Sequence, residues 1–296
     1  MTLAETLHAA TARLRAAAID DARLEAELLL RHALGLSREA LLTRLREPLP
    51  ADARTAFDVL LHRRLAREPT AYIVGHKEFY GLNLICTPAA LIPRPETELL
   101  VEEAIDWLQG QISRSATPDP RPFVADVGTG NGAIAVALAV RVPEAYIVAT
   151  DTSRPALKLA RRNAKAHGVA ERIAFLQGDL LTPLRGPCPS GRRGFDLIVA
   201  NLPYVPTRLY RKLAPELRRH EPEAALHAGG RGPALIEALL AQAPPLLRPG
   251  GLLLAEHAWN QGQRLREAAR AAFPEAAIET KRDLAGRQRL LVVQTS

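Results

Sequence analysis

Phe123-Val-Ala-Asp-Val-Gly128-Thr-Gly130-Asn-Gly132-Ala-Ile-Ala-Val-Ala-Leu138 is an apolar run that breaks into alternating glycines and resumes as an Ala-rich segment. A strand, a tight turn and a helix start have this order, and the glycines let backbone approach a ligand closely. The spacing is G-x-G-x-G, shorter than the dinucleotide pattern G-x-G-x-x-G. Downstream, Tyr146-Ile-Val-Ala-Thr-Asp151 reads as a second strand ending in an acid, where a ribose diol would need a carboxylate. Working outward, strands are expected at 123–127, 146–151, 172–178, 195–200 and 251–256, and helices at 131–141, 154–167, 233–247 and 261–272. Two closing strands near 276–282 and 288–294, joined through Asp283-Leu-Ala-Gly286, are expected to pair as a hairpin. Such alternation predicts a mainly parallel sheet covered by helices on both faces. A ligand then belongs beyond the carboxyl ends of the strands, and Gly128, Asp151, Asp179 and Asn201 all fall at such ends.

A second informative stretch is Asp196-Leu-Ile-Val-Ala-Asn201-Leu202-Pro203-Tyr204. It reads as a buried strand that stops at an amide, a proline and an aromatic ring. An amide oxygen, a backbone carbonyl and a flat aromatic wall suit a planar –NH2 group, whose lone pair is delocalised and needs aiming. A plain turn would use the same residue types. Together, the glycine turn, Asp151 and Asn-x-Pro-Tyr point to S-adenosylmethionine beside an acceptor amine. The short turn suits a ligand that has no pyrophosphate.

The 296 residues carry a formal charge of +7, with hydrophobic residues at 47% and charged residues at 24%. These are ordinary values for a soluble globular chain. No apolar run has the length of a membrane span, and the N-terminus lacks a signal-peptide layout. Cys86 and Cys188 are distant in sequence, so a reduced cytoplasmic setting is the expectation and both thiols are expected to be inert. The eight histidines show no ligand spacing, so no metal is implied. The positive charge is mostly arginine scattered over helices, without a basic–aromatic surface.

Residues 1–70 read as a helical recognition domain. Leu3, Leu7, Ala10 and Leu14 mark one helix, Asp20-Asp21 caps a second that runs to Gly35, Ser37 opens a third closed by Glu47-Pro48, and Phe57, Leu60, Leu61 and Leu65 mark a fourth. Residues 71–90 read as a linking β-hairpin, from the alternation of Tyr72 to Pro88 with Gly75 and Gly81. Residues 91–296 form the third part, with Ser/Pro-rich and Pro/Gly/Arg-rich loops at Ser113–Pro122 and Leu184–Gly194. Arg94, Glu96 and Glu98 either touch a ligand or serve a helix start.

These residues give the chain its resemblance to the HemK/PrmC family of peptide chain release factor glutamine methyltransferases. Arg67-Glu-Pro-Thr-Ala-Tyr-Ile-Val-Gly-His-Lys-Glu-Phe-Tyr-Gly81 and Leu91-Ile-Pro-Arg-Pro-Glu-Thr-Glu98 are the more specific segments. Asp126–Ala135, Phe195–Tyr204, Glu221–Leu226, Gly229-Gly230 and Asp283–Arg287 add to them. The resemblance implies a Rossmann-like class I methyltransferase sheet with a small N-terminal helical bundle. It implies methylation of the glutamine amide in the Gly-Gly-Gln loop of class I release factors, with S-adenosyl-L-methionine as cofactor. By that similarity Gly128, Thr129, Gly130, Asn131 and Gly132 line the methionine end, Asp151 binds the ribose, and Asp179 with Leu180 lies against the adenine. Asn201, which also adjoins the cofactor, and the Leu202 carbonyl hold the glutamine amide, followed by Pro203 and by Tyr204 stacked on its plane. The expected partner is the release factor, and neither a membrane nor, on this leading reading, a nucleic-acid substrate is expected, with the enzyme a monomer.

Leu202 departs from the family's usual Asn-Pro-Pro-Tyr. The carbonyl survives, and some backbone rigidity is lost. Asn-Leu-Pro-Tyr also resembles the motif of adenine dimethyltransferases, so an adenine exocyclic-amine methyltransferase acting on RNA or DNA is one alternative. A catalytically inactive S-adenosylmethionine-binding protein is another. A nicotinamide oxidoreductase is disfavoured by the glycine spacing.

Overall fold

The computed structural model describes residues 1–114, 121–185 and 194–296. They divide into two compact units, Met1–His76 with Ala214–His220, and Lys77–Leu213 with Glu221–Ser296. In the first unit, α1 (Leu3–Ala16) begins with a capping box: Thr2 Oγ1 accepts from the Glu5 N–H, and the Glu5 carboxylate takes the Thr2 N–H. α2 (Ala22–Leu34) ends at left-handed Gly35, as expected. Ser37 opens α3 (Arg38–Thr43) by accepting from the Ala40 N–H. α4 (Ala51–Leu65) and α5 (Thr70–Val74) complete this run of the chain. Leu7, Leu14, Leu29, Leu30, Phe57 and Leu61 meet in its core.

Three local expectations are corrected. Asp21 stands before α2 but adopts φ 50, and its side chain makes no capping bond. α3 stops at Thr43 rather than at Glu47-Pro48. The carbonyls of Leu45 and Glu47 instead take the first two N–H groups of α1, which requires non-helical backbone there. Tyr72 is helical, because burying Tyr72 and Ile73 on one short turn outweighs the alternation; the hairpin begins only after Gly75.

That hairpin is β1 (His76–Phe79) and β2 (Leu82–Ile85). The second unit continues with α6 (Glu98–Arg114), β3 (Phe123–Val127), α7 (Ala133–Arg141), β4 (Tyr146–Asp151), α8 (Arg154–Ala166), β5 (Ile173–Gln177) and β6 (Phe195–Ala200). The short helices α9 (Thr207–Tyr210), α10 (Pro215–His220) and α11 (Glu223–Leu226) follow, α10 belonging to the first unit. Then come α12 (Ala234–Gln242), β7 (Leu247–Glu256), α13 (Gly262–Ala272), β8 (Ala277–Arg282) and β9 (Gln288–Gln294). The sheet order is β5-β4-β3-β6-β7-β9-β8. It is parallel from β5 to β7 and antiparallel through β9 and β8, which pair as the expected closing hairpin.

Alternate residues of the central strands face opposite layers. Val124, Ile147, Leu197 and Leu252 pack with Leu100, Val101 and Leu108 of α6. Ala125, Val148, Ile198 and Leu253 pack with Ile236 and Leu239 of α12 and Leu265 of α13. Both faces are therefore dry, which is why these strands are largely apolar, with buried Asp126 and Asp196 among the exceptions. Two boundaries differ from expectation for stated causes. α12 ends at Gln242, ahead of Pro244-Pro245, which cannot continue a helix. α7 begins at Ala133, because Gly128, Gly130 and Gly132 all adopt positive φ (74, 58 and 85°) and keep the turn open. α6 runs on through Arg114 into the expected loop; residues 115–120 and 186–193, with Cys188, lie outside the described residues.

Candidate functional site

At the carboxyl edge of the sheet lies a cleft of about 350 Å³. Its walls come from the glycine turn after β3, the end of β4, Gly178–Leu180 after β5, Asn201–Pro203 after β6 and the segment Ala89–Thr97. Gly128, Thr129, Gly130, Asn131, Asp151, Asp179, Leu180, Asn201, Leu202 and Pro203 all line it. The fold thus brings together ten residues singled out from sequence. Gly132 and Tyr204 are not in its walls.

The glycine turn is held from below. The Gly128 and Thr129 N–H groups both donate to the Thr150 carbonyl at 2.9 Å. Asp126, wholly buried, accepts from the Thr129 hydroxyl at 2.6 Å and from the Ala135 N–H at 3.2 Å. Burial pushes its carboxyl up to about 7. A Cβ on Gly132 would meet Ala160 of α8 at 3.0 Å, so this glycine admits α8 closely. A Cβ on Gly130 would meet nothing within 4 Å, since that glycine faces open cleft. The Asn131 Oδ1 accepts from the Ala133 N–H, while its buried Nδ2 has no hydrogen-bond partner.

Asp151 couples the turn to the next strand. Its Oδ2 accepts from the Gly130 N–H at 2.9 Å and its Oδ1 from the Ser153 N–H at 2.8 Å. Each carboxylate oxygen can accept more than one hydrogen bond, so both retain capacity toward the cleft. Leu180 is held at φ 48, and its carbonyl accepts from the Thr150 hydroxyl at 3.1 Å.

The opposite end of the cleft is polar and enclosed. The Asn201 Nδ2 donates to the Thr97 Oγ1 at 2.9 Å. The Thr97 hydroxyl in turn donates to the Glu256 Oε2 at 2.7 Å. The Tyr204 hydroxyl donates to the other oxygen of Glu256 at 3.0 Å, and the Tyr204 carbonyl accepts from the Gln261 Nε2 at 2.9 Å. Burial and the facing Glu256 carboxylate push the Tyr204 hydroxyl up, so it stays protonated. The Tyr204 hydroxyl is thus anchored on Glu256, and the residue is not among those lining the cleft. Leu202 is buried, and its side chain lies directly over Gly128, where a Cβ would come within 2.7 Å of its Cδ2. Arg94 reaches the cleft with its guanidinium paired to buried Glu221, which also accepts from the Ile92 N–H at 3.1 Å. Glu98 accepts from the Tyr80 N–H at 3.0 Å, a structural tie.

Sequence reading missed Glu256 and gave Thr97 no role. Glu256 carries the same mark that singled out Asp151, an acid ending a strand at this sheet edge, and Thr97 lies within the quoted Leu91–Glu98 segment. Among the described residues no cluster of three or more His, Cys, Asp or Glu is placed to hold a metal ion, and no helix is long and apolar enough to cross a membrane.

Comparison with known proteins follows the two units. A family model described as the PrmC N-terminal domain matches residues 5–75, and one described as a methyltransferase domain matches residues 124–221. The release factor glutamine methyltransferase of Moorella thermoacetica is 42% identical over 98% of this chain and 97% of its own length. The Bordetella pertussis protein of the same name is 42% identical over 90% of this chain and 93% of its own. Among solved structures, the hMettl16 catalytic domain in complex with a MAT2A hairpin superposes with a TM-score of 0.56. That match covers 77% of this chain and 81% of the other at 16% identity, a likeness of fold alone. Identity at this level along nearly the whole chain, with a methyltransferase sheet and a cleft at its carboxyl edge, places the protein in the family of release factor glutamine methyltransferases.

Proposed function

We propose that the chain transfers a methyl group from S-adenosylmethionine to the side-chain amide nitrogen of the glutamine in the Gly-Gly-Gln loop of a class I release factor. The observation that carries this reading is the Asn201 amide. Its nitrogen is committed to Thr97, which leaves Oδ1 as the group able to accept an N–H in the cleft.

The residues present fit the cofactor. Asp151 keeps acceptor capacity for two hydroxyls, and the buried Asn131 Nδ2 is a donor in need of an acceptor such as a carboxylate. Open space at Gly130 admits a chain against the backbone. S-adenosylmethionine supplies an electrophilic methyl carbon next to a positively charged sulfur. The protein's part is positioning: Asp151 and the glycine turn fix one reactant, while Asn201 Oδ1 and the Leu202 carbonyl each accept one amide hydrogen of the other. Two accepted hydrogens hold the nitrogen and leave its lone pair facing the cleft, an orientation effect rather than proton transfer. Thr97 and Leu202 are buried and Asn201 is half-buried, so access of water to these bonds is restricted.

The test is incubation of the protein with labelled S-adenosylmethionine and, in parallel, a release factor or RNA, followed by mass spectrometry of the Gly-Gly-Gln peptide. One added methyl on the glutamine is expected. Label in RNA, or in neither substrate, would overturn the reading. Asn201→Ala should keep cofactor affinity and lose turnover, since the contact belongs to the acceptor.

A further inference from the structure

The corner that holds Asn201 is more ordered than one amide requires. Three segments distant in sequence meet there. Thr97 closes the turn Pro95–Thr97 ahead of α6, Asn201 and Tyr204 follow β6, and Glu256 ends β7. Glu256 is 2% exposed and Thr97 4%, so solvent does not scramble the bonds between them.

With Glu256 ionised, the directions of the protons are forced. An ionised carboxylate only accepts, so both the Thr97 and the Tyr204 hydroxyl point their protons at Glu256. A hydroxyl has a single proton. Having given it to Glu256, Thr97 can only accept from Asn201. An amide turned the other way would bring an oxygen to an oxygen with no proton between them. Burial pushes the Glu256 carboxyl up and neighbouring Glu96 adds to this, while the two hydroxyls and Arg289 offset part of the shift.

We infer that Thr97 and Glu256 are positioning residues that fix which end of the Asn201 amide meets the substrate, so that the pocket accepts an N–H instead of offering one. The inference rests on the acceptor role proposed above for Asn201. Its consequence is selectivity. With Oδ1 facing the cleft, a glutamine –NH2 is welcomed and a glutamate carboxylate meets an oxygen. With the amide free to turn, Nδ2 can face the cleft, and a carboxylate becomes the better match while an –NH2 meets a like donor.

The experiment uses the full chain and three variants: Thr97→Val, which keeps shape and removes the hydroxyl, Thr97→Ser, which keeps the hydroxyl, and Glu256→Met, which removes the acceptor. Thr97→Val and Glu256→Met should lower kcat by about ten- to a hundredfold, the loss expected of a buried polar group left without its partner. Calorimetric affinity for S-adenosylmethionine should stay unchanged, and Thr97→Ser should recover most of the loss. A release factor carrying glutamate in place of the target glutamine should inhibit the wild type weakly and Thr97→Val more strongly, relative to the glutamine factor. A merely structural defect would weaken both factors alike. The side-chain amide resonance of Asn201, read with 15N-labelled asparagine, should move in Thr97→Val and Glu256→Met but not in Thr97→Ser. Wild-type kcat with an unmoved amide resonance in Thr97→Val would overturn the inference, as would equal loss of both factors. Should Thr97→Val not fold, Glu256→Met carries the same test. If the wild type itself methylates no release factor, the function proposed above falls, while the amide resonance still decides whether the relay exists.

Discussion

Gly128→Ala adds one methyl group at a place where its consequences can be worked out. At φ 74° the new alanine would sit in the left-handed region, which costs an L-residue about 1–2 kcal/mol. Its Cβ would lie 2.7 Å from the Leu202 Cδ2, well inside ordinary carbon–carbon contact of roughly 3.5–4.0 Å. Leu202 is 5% exposed and shares an apolar cluster with Val127, Ala200 and Leu180, so moving its side chain has a packing cost. Forcing a methyl into such a packed place costs about 1–3 kcal/mol. The sum is a loss of about 2–5 kcal/mol of stability. Leu202→Ala alone should lose a similar amount by leaving a cavity, about 2–5 kcal/mol. In the double variant the added Cβ enters the vacated space and the clash disappears. The pair should therefore be less unstable than the two losses added, by the steric share of about 1–3 kcal/mol. Urea unfolding of the wild type, the two single variants and the double variant, followed by circular dichroism, gives all four free energies. Additivity to within about 0.5 kcal/mol would mean that the two side chains do not compete for one space.

Four further outcomes are expected. Asp151→Ala should weaken binding of S-adenosylmethionine and of S-adenosylhomocysteine by the same factor of about ten to a hundred, because both carry the ribose and only one carries the sulfonium; unequal losses in calorimetry would move Asp151 away from the ribose. The carboxyl of Asp126 sits at about 7 in the folded chain against 3.8 when unburied, so the folded state retains a proton that the unfolded chain has released between those values. Stability should fall as pH rises through that window, by up to about 1.4 kcal/mol per pH unit, and Asp126→Asn should lack this slope in urea titrations across the window. The Cys86 thiol, 3% exposed and pushed by burial up to about 11, should resist iodoacetamide at pH about 8 until the chain is denatured; ready labelling of the Cys86 peptide in native protein would contradict its burial. Gly130→Ala should be strained by its φ of 58 but meet no steric obstacle, so its stability loss should stay near the backbone share of about 1–2 kcal/mol, smaller than that of Gly128→Ala.

Much of the site was legible because strand ends are legible. An apolar run that stops at a glycine, an acid or an amide marks the sheet's carboxyl edge, and Gly128, Asp151, Asp179 and Asn201 were placed together on that ground alone. Strand limits at Phe123–Val127, Tyr146–Asp151 and Phe195–Ala200 followed from the same runs. What could not be read was whatever depended on a partner far along the chain. Nothing near Tyr204 says that its hydroxyl will be claimed by Glu256. Nothing in Gly132 distinguishes a ligand-facing glycine from one that admits α8. Residues after Thr43 leave the helix because their carbonyls serve α1, a debt set by Leu3 and Ala4 rather than by local propensity. Proline, whose effect is local, was the reverse case: Pro244-Pro245 were available to read, and the longer expected helix ignored them.

The helix Pro215–His220 belongs to the first unit although the chain on either side of it belongs to the second. Its Glu216 accepts from both Arg64 and Arg67, and Arg64 is buried. A fragment stopped at His76 would therefore keep both arginines and Glu25, which pairs with Arg64, but forfeit the acid that Arg64 and Arg67 share. Splitting the gene at the apparent junction would yield a front half without the short helix that carries this counter-charge, unless the excursion were grafted back.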